Sequence, residues 1–236
     1  MTSISRLLTV IGVCLLPMFG NSQILLSLLF GDKLNSDGLS FGIHGDYSFN
    51  KMSNMAGDKS LRSLNLGLFF TWHFSDQWHL NLEMLPKYKR GMRNLPVYAV
   101  ESDSLNTLFT EGHIDRRIKY LTLPVTGQYM LSNGLFAELG PQLSFRLKAR
   151  DLLSTSLEDG TLSLEKNIDD QIHRWDIGWL AGLGYRFTKS KLIAVGVRYQ
   201  GGFSDVEKSI AGKQQHQQWG VYCNLPMGKT KPRLSE

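Results

Sequence analysis

Apolar and polar side chains alternate with a period of two along much of this chain. In residues 135–149, Leu135, Ala137, Leu139, Pro141, Leu143, Phe145 and Leu147 share one register, and Phe136, Glu138, Gly140, Gln142, Ser144, Arg146 and Lys148 share the other. Successive side chains of a strand point to opposite faces, so the pattern predicts a β-strand with two unlike faces; a helix would scatter the same residues around its circumference. The alternation recurs in LSFGIHGDYSF, LNLGLFFTWHF, WHLNLEMLPKYK, YLTLPVTGQYML, RWDIGWLAGLGYRF, LIAVGVRYQGGF and QQWGVYCNLPM, which makes about eight strands with the first.

The connections alternate as well. SDQ (75–77), SNG (132–134) and TKSK (188–191) read as short turns, and longer links fall at 50–63, 90–117, 150–172 and 204–215. Short turns on one rim and long loops on the other predict an all-β fold, an eight-stranded antiparallel up-and-down transmembrane β-barrel with short periplasmic turns and longer extracellular loops. The competing arrangement is a soluble barrel that buries its apolar face. Aromatic spacing favours the membrane form. Trp78 and Tyr88 are separated like Trp175 and Tyr185, by a strand length that climbs about 25 Å at a tilt near 40°, the height of the apolar band between two aromatic girdles. Trp78, Tyr88, Trp175, Tyr185 and Trp219 are therefore expected in the girdles. Glu83, Lys87, Glu138, Arg146, Asp176, Arg186 and Arg198 fall on the opposite register and are expected to form a charge network in a lumen narrow enough for side chains to fill. The glycines of that register leave room for folded arginine and lysine side chains.

Composition supports a folded strand-rich domain. Of 236 residues, 42% are hydrophobic and 20% charged, with 23 glycines and 7 prolines. The net charge of +5 is spread along the chain without a basic block, which argues against nucleic-acid binding. The N-terminal MTSISRLLTVIGVCLLPMFGNSQ has a basic residue, Arg6, an apolar core from Leu7 to Phe19, and small residues Gly20 and Ser22. It reads as a secretory signal peptide over 1–22, cleaved before Gln23, and is short for a membrane span. Cys14 lies inside the apolar core rather than at its end, against a lipid anchor. Cleavage leaves Cys223 as the lone cysteine, which excludes an internal disulfide. The domain expectation is a barrel over 23–228 and a short periplasmic tail over 229–236.

Several segments carry a family likeness. LLFGDKLN (28–35), YLTLPV (120–125), ELGPQLSFRLKA (138–149), DIGWLAGLGYRF (176–187) and VRYQGGFSDV (197–206) resemble the outer-membrane β-barrel proteins of Bacteroidetes often labelled PorT-like or porin-like. The likeness covers about residues 24–228 and is carried by the order and spacing of the segments. It implies an eight-stranded barrel in the outer membrane of a Gram-negative bacterium, among outer-membrane lipids. One branch of that family is linked to protein secretion. This chain departs from the usual pattern in that the last strand is followed by a tail rather than ending on an aromatic residue.

Catalytic chemistry is sparse. His44, His73, His79, His113, His173 and His216 form no HExxH or other zinc spacing, and there is no G-x-S-x-G or P-loop. EGHIDRR (111–117) places His113 and Asp115 in a loop, as a rim enzyme would. The link 150–172 is acidic, with Asp151, Glu158, Asp159, Glu165, Asp169 and Asp170 against Arg150 and Lys166. Residues 24–38 do not alternate and are read as a short extra strand at the periplasmic mouth. The expectation is a structural or interaction role without catalysis or a cofactor; the alternatives are a narrow channel, an accessory part of a secretion machinery, a rim enzyme or a soluble lipocalin-like binder. Envelope protein partners are not specified by the sequence.

Overall fold

The alternating stretches become antiparallel strands in a computed structural model, which describes residues 38–99, 103–131, 133–157, 160–187, 193–208 and 211–227. The signal peptide, most of the 24–38 segment, the TKSK turn and the C-terminal tail lie outside the described residues. The strands are β1 (Leu39–Met52), β2 (Lys59–His73), β3 (Trp78–Leu95), β4 (His113–Met130), β5 (Leu135–Leu157), β6 (Gly160–Asn167), β7 (Trp175–Phe187), β8 (Ile193–Gly202) and β9 (His216–Pro226), with one short helix, α1 (Asp103–Leu108). Each ring strand pairs with its chain neighbours, β5 pairs with both β4 and β7, and β1 pairs with β9. The result is a closed eight-stranded antiparallel barrel; β6 stands outside the ring and pairs with β5 alone among the described residues.

Polarity is inverted relative to a soluble barrel. Leu64, Leu66, Leu139, Leu183, Val197 and Val221 face outward and are exposed, with Leu139 at 64%. His44, Asp46, Asn65, Asn81, Glu83, Gln128, Glu138 and Asn224 face inward and are buried, with Glu83 at 1%. A folded chain shows such a broad apolar girdle only where lipid covers it.

The wall is uneven in height. β3 and β4 have 18 residues each and β5 has 23, against 10 and 11 for β8 and β9. A tilted strand needs about 9–11 residues to cross the membrane, so β3–β5 rise well past it on the long-loop side. There the facing rule reverses. Ile114, Ile118, Ala149 and Leu153 point inward and are buried, while Arg117 and Lys119 point outward. With Met52, Met92, Leu95, Phe109, Tyr120, Ile168, Ile172 and Val206 they form an apolar core over the loop end of the barrel. This reversal corrects the expected long link at 150–172: β5 continues to Leu157, turns back as β6, and ends in a single 3-10 turn at Asp169–Gln171. Among its described acids, Asp151 pairs with Arg116, Asp169 with Arg146 and Glu165 with Arg150.

Candidate functional site

The barrel interior is built around one arginine. Arg198 on β8 reaches across the lumen and donates to both oxygens of Glu83 on β3, at 2.9 and 3.1 Å. Its Nε lies 3.8 Å from Glu138 Oε1 on β5, and its guanidinium stacks over the Tyr222 ring at 3.8 Å. Asn81 donates to Glu83 at 2.9 Å, and Thr71 donates to Asn81 at 2.8 Å. On the other side Gln128 donates to Glu138 at 3.3 Å and accepts from Arg186 at 2.8 Å; Arg186 also meets His79 at 3.0 Å. A connected line of polar contacts thus crosses the barrel from β2 to β7. Two carboxylates share one guanidinium, and burial makes each charge depend on its partner.

Close packing of this layer explains the inward glycines. A Cβ at Gly182 would come within 2.8 Å of Glu138 Oε1 and 3.1 Å of Arg198 Cβ. At Gly184 and Gly196 it would strike the rings of Phe136 and Tyr222. The glycines therefore admit aromatic rings as well as the charged side chains expected there.

A second layer depends on a β-bulge in β3. Leu85 pairs with Thr122 and Tyr88 with Tyr120, so Pro86 and Lys87 together oppose a single residue of β4. Lys87 takes a left-handed backbone with φ 58°. The β2–β3 ladder is interrupted here, and side chains replace it: the Lys89 N–H donates to Asn65 Oδ1 at 3.0 Å, and Ser63 Oγ donates to the Lys89 carbonyl at 3.1 Å. The extra residue shifts everything after it by one. Two expectations are corrected by this. Lys87 is exposed on the outer wall instead of lining the lumen, and Tyr88 is buried inside instead of joining a girdle. Arg90 follows Tyr88 inward, where it donates to Asp176 at 2.6 Å and to Gln200 at 3.3 Å and lies against the rings of Tyr88 and Tyr120. Tyr88 in turn bonds with Gln200 at 3.2 Å and with Gln218.

The remaining expected residues are placed as follows. Arg146 sits near the top of the interior and pairs with Asp169. Trp78 packs at a tilt against Tyr129 near the short-turn end, and Tyr185 packs on Phe187 at the same end. Trp175 packs on Phe145, and Trp219 on Tyr199, nearer the loop end.

A third layer, absent from the sequence reading, lies in the apolar core. Arg116 donates to Asp151 twice, at 2.8 and 2.7 Å, and also to Glu207. Tyr98 donates to Asp151 at 3.1 Å; burial first, then the adjoining Asp151 carboxylate, raises the phenol above its ordinary range and keeps it a donor. Lys166 stands over the Tyr98 ring at 4.8 Å. Above this cluster opens a cavity of ≈ 380 Å³ lined by Met55, Leu95, Val97, Ile114, Arg116 and Asp151 among others. Arg116 carries no local sequence signal beyond sitting between two inward isoleucines.

Asp115 of the EGHIDRR segment faces the outer wall, where Arg93 donates to it at 2.9 Å, which engages it as an ion-pair acceptor. Among the described residues no cluster of His, Cys, Asp or Glu is arranged to hold a metal ion.

Known proteins similar to this chain include one family and several solved structures. A family model described as outer membrane protein beta-barrel domain matches residues 30–208. Among solved structures, the attachment invasion locus protein Ail of Yersinia pestis is 18% identical with a TM-score of 0.41, covering 80% of this chain and 98% of its own. Neisserial surface protein A is 12% identical with a TM-score of 0.43, over 80% and 98%. OprG of Pseudomonas aeruginosa is 14% identical with a TM-score of 0.37, over 83% and 96%. No curated protein sequence matches.

Proposed function

Because this chain belongs to the outer membrane beta-barrel domain family, its ring lies in an outer membrane, and we propose that it serves there as a closed, non-conducting body with a structural or interaction role. The observation that carries this reading is the stacking of the Arg198–Glu83–Glu138 layer, the Arg90–Asp176 layer and the apolar core along one axis. A water path would have to part buried ion pairs, each of which resists loss of its partner by about 3–5 kcal/mol, and then cross an apolar layer. Function then resides on the outer wall and the loop end. Addition of the purified barrel to a planar bilayer should give no steady conductance. A stable open level would overturn the closed reading and favour a narrow channel for small solutes.

We also propose export with cleavage before Gln23 and membership of the PorT-like or porin-like family of Bacteroidetes; the sequence segments quoted above support both. Intact-mass measurement of the protein from outer membranes tests the cleavage site directly.

A further inference from the structure

The outer wall carries a feature that neither lumen nor loops use. Just past the bulge, Lys89 on β3 is directly opposite Lys119 on β4, and Lys119 is directly opposite Lys148 on β5. All three point outward; Lys148, which simple alternation puts on the inward register, is turned out by a second bulge, since Arg146 and Lys148 pair with the successive residues Tyr120 and Lys119 and leave Leu147 extra. One step further from the membrane, Arg117 faces Arg150 in the same way, and Lys87 adds a further outward cation below. Lys89, Lys148, Lys87 and Arg150 all exert their charge on Lys119. Like charges placed directly across neighbouring strands destabilise a sheet. Arg117 and Arg150 have acidic neighbours, Asp115 at 3.6 Å and Glu165. Among the described residues no carboxylate lies within ion-pair distance of Lys87, Lys89, Lys119 or Lys148.

Height identifies the neighbour that is missing. On β4, Lys119 stands two residues above the outward Leu121, which pairs with Phe145 on β5; Phe145 packs on Trp175 at 4.9 Å. The lysine row therefore begins one step beyond the loop-end aromatic girdle, on the long-loop, extracellular side. That is the level of the outer-leaflet headgroups, not of lipid tails or bulk solvent.

We propose that Lys89, Lys119 and Lys148 form a binding ledge for the phosphate-bearing headgroup of an outer-leaflet lipid. Adjacent strands lie about 4.8 Å apart, so the three ammonium groups spread over a width that one phosphorylated headgroup can span. The ledge also accounts for the bulge, since only the register shift brings Lys89 outward into line with Lys119. Without it the alternation below Leu85 would turn that residue inward.

The test uses the full-length barrel in neutral lipid nanodiscs, with diphosphorylated lipid A, its dephosphorylated form, or inorganic phosphate added, and native mass spectrometry to count retained lipid. Each lysine near an anionic lipid surface strengthens binding by about fivefold. Lys89→Gln/Lys119→Gln/Lys148→Gln should thus retain phosphorylated lipid A roughly a hundredfold less well than wild type. Lys51→Gln/Lys208→Gln/Lys213→Gln, with the same net charge, should retain it normally. Heat-modifiability on gels gives a second readout: in neutral detergent the ledge variant should melt no lower than wild type, because it loses repulsion, and phosphorylated lipid A should raise the melting temperature of wild type only. Equal retention of both lipid A forms, equal losses in both triple variants, or displacement of the lipid by inorganic phosphate at matched concentration would each overturn the proposal.

Discussion

Arg198 and Glu83 show how much a single inward pair can decide. Their bidentate contact is fully buried, whereas Glu138 touches Arg198 only at 3.8 Å. Breaking a buried ion pair by removing one partner costs about 3–5 kcal/mol. Glu83→Gln should therefore lower the melting temperature of the compact form on unheated gels distinctly more than Glu138→Gln; the opposite order would place the dominant counter-charge on β5. Cys223 tests the opposite face. It shares the outward register of Trp219, Val221 and Leu225, beside lipid, so a water-soluble thiol reagent should modify it only after denaturation. Lys87 tests the bulge. A β-branched residue at positive φ is strained by roughly 1–2 kcal/mol, while glycine is not. Lys87→Val should shift the urea midpoint of folding into bilayers down, and Lys87→Gly should leave it in place. The sequence held a hint here, because Pro86 inside a strand marks a bulge or an edge. Simple alternation carried across it misplaces Lys87 and Tyr88 and hides Arg90.

At the scale of elements, the eight ring strands were legible wherever they cross lipid. In that band one face meets hydrocarbon and the other meets polar side chains, so period-two alternation is strong and its sense is constant. Above the band the sense flips. Ile114, Ile118 and Leu153 go inward as Arg117, Lys119 and Arg150 go outward. Under the rule of the lower wall these residues look like a charged loop, which is why the upper parts of β3–β5 and all of β6 are not legible in the sequence. The distinction can be tested on β5 itself. Arginine at an outward mid-bilayer position costs about 2–4 kcal/mol, so Leu139→Arg should impair folding into bilayers far more than Gln142→Lys. By contrast, Leu162→Ser/Leu164→Ser on β6 should leave the ring heat-modifiable while exposing the loop end to protease, because those leucines pack against the apolar core and not into the ring.

For the molecule as a whole, the three interior layers differ in how far they could be anticipated. Lumen charges are visible in sequence because a charged residue inside an alternating strand has only two places to go. Pairings are not visible: Arg198 with Glu83 and Arg90 with Asp176 join residues more than a strand apart in the ring, and their meeting depends on barrel width and stagger. The Arg116–Asp151–Glu207 cluster is the least legible, since it belongs to a core assembled from six separate segments.

Closure of the ring carries one more consequence, and it concerns the order of events during assembly. The seam joins the first strand to the last: β1 pairs with β9 along its length, and His44 hydrogen-bonds Asn224 across 180 residues of chain at 2.6 Å. Every other strand pairing of the ring is with a neighbour in sequence or across the β6 hairpin. Contacts of such long separation form late, because the intervening chain must be gathered first. Until β9 arrives, β1 offers an unpaired row of N–H and C=O groups, the kind of raw border along which chains stick to one another. A nascent barrel therefore has a dangerous age, from the moment the first hairpin forms to the moment the last strand is delivered, and protection during that interval must come from outside the molecule.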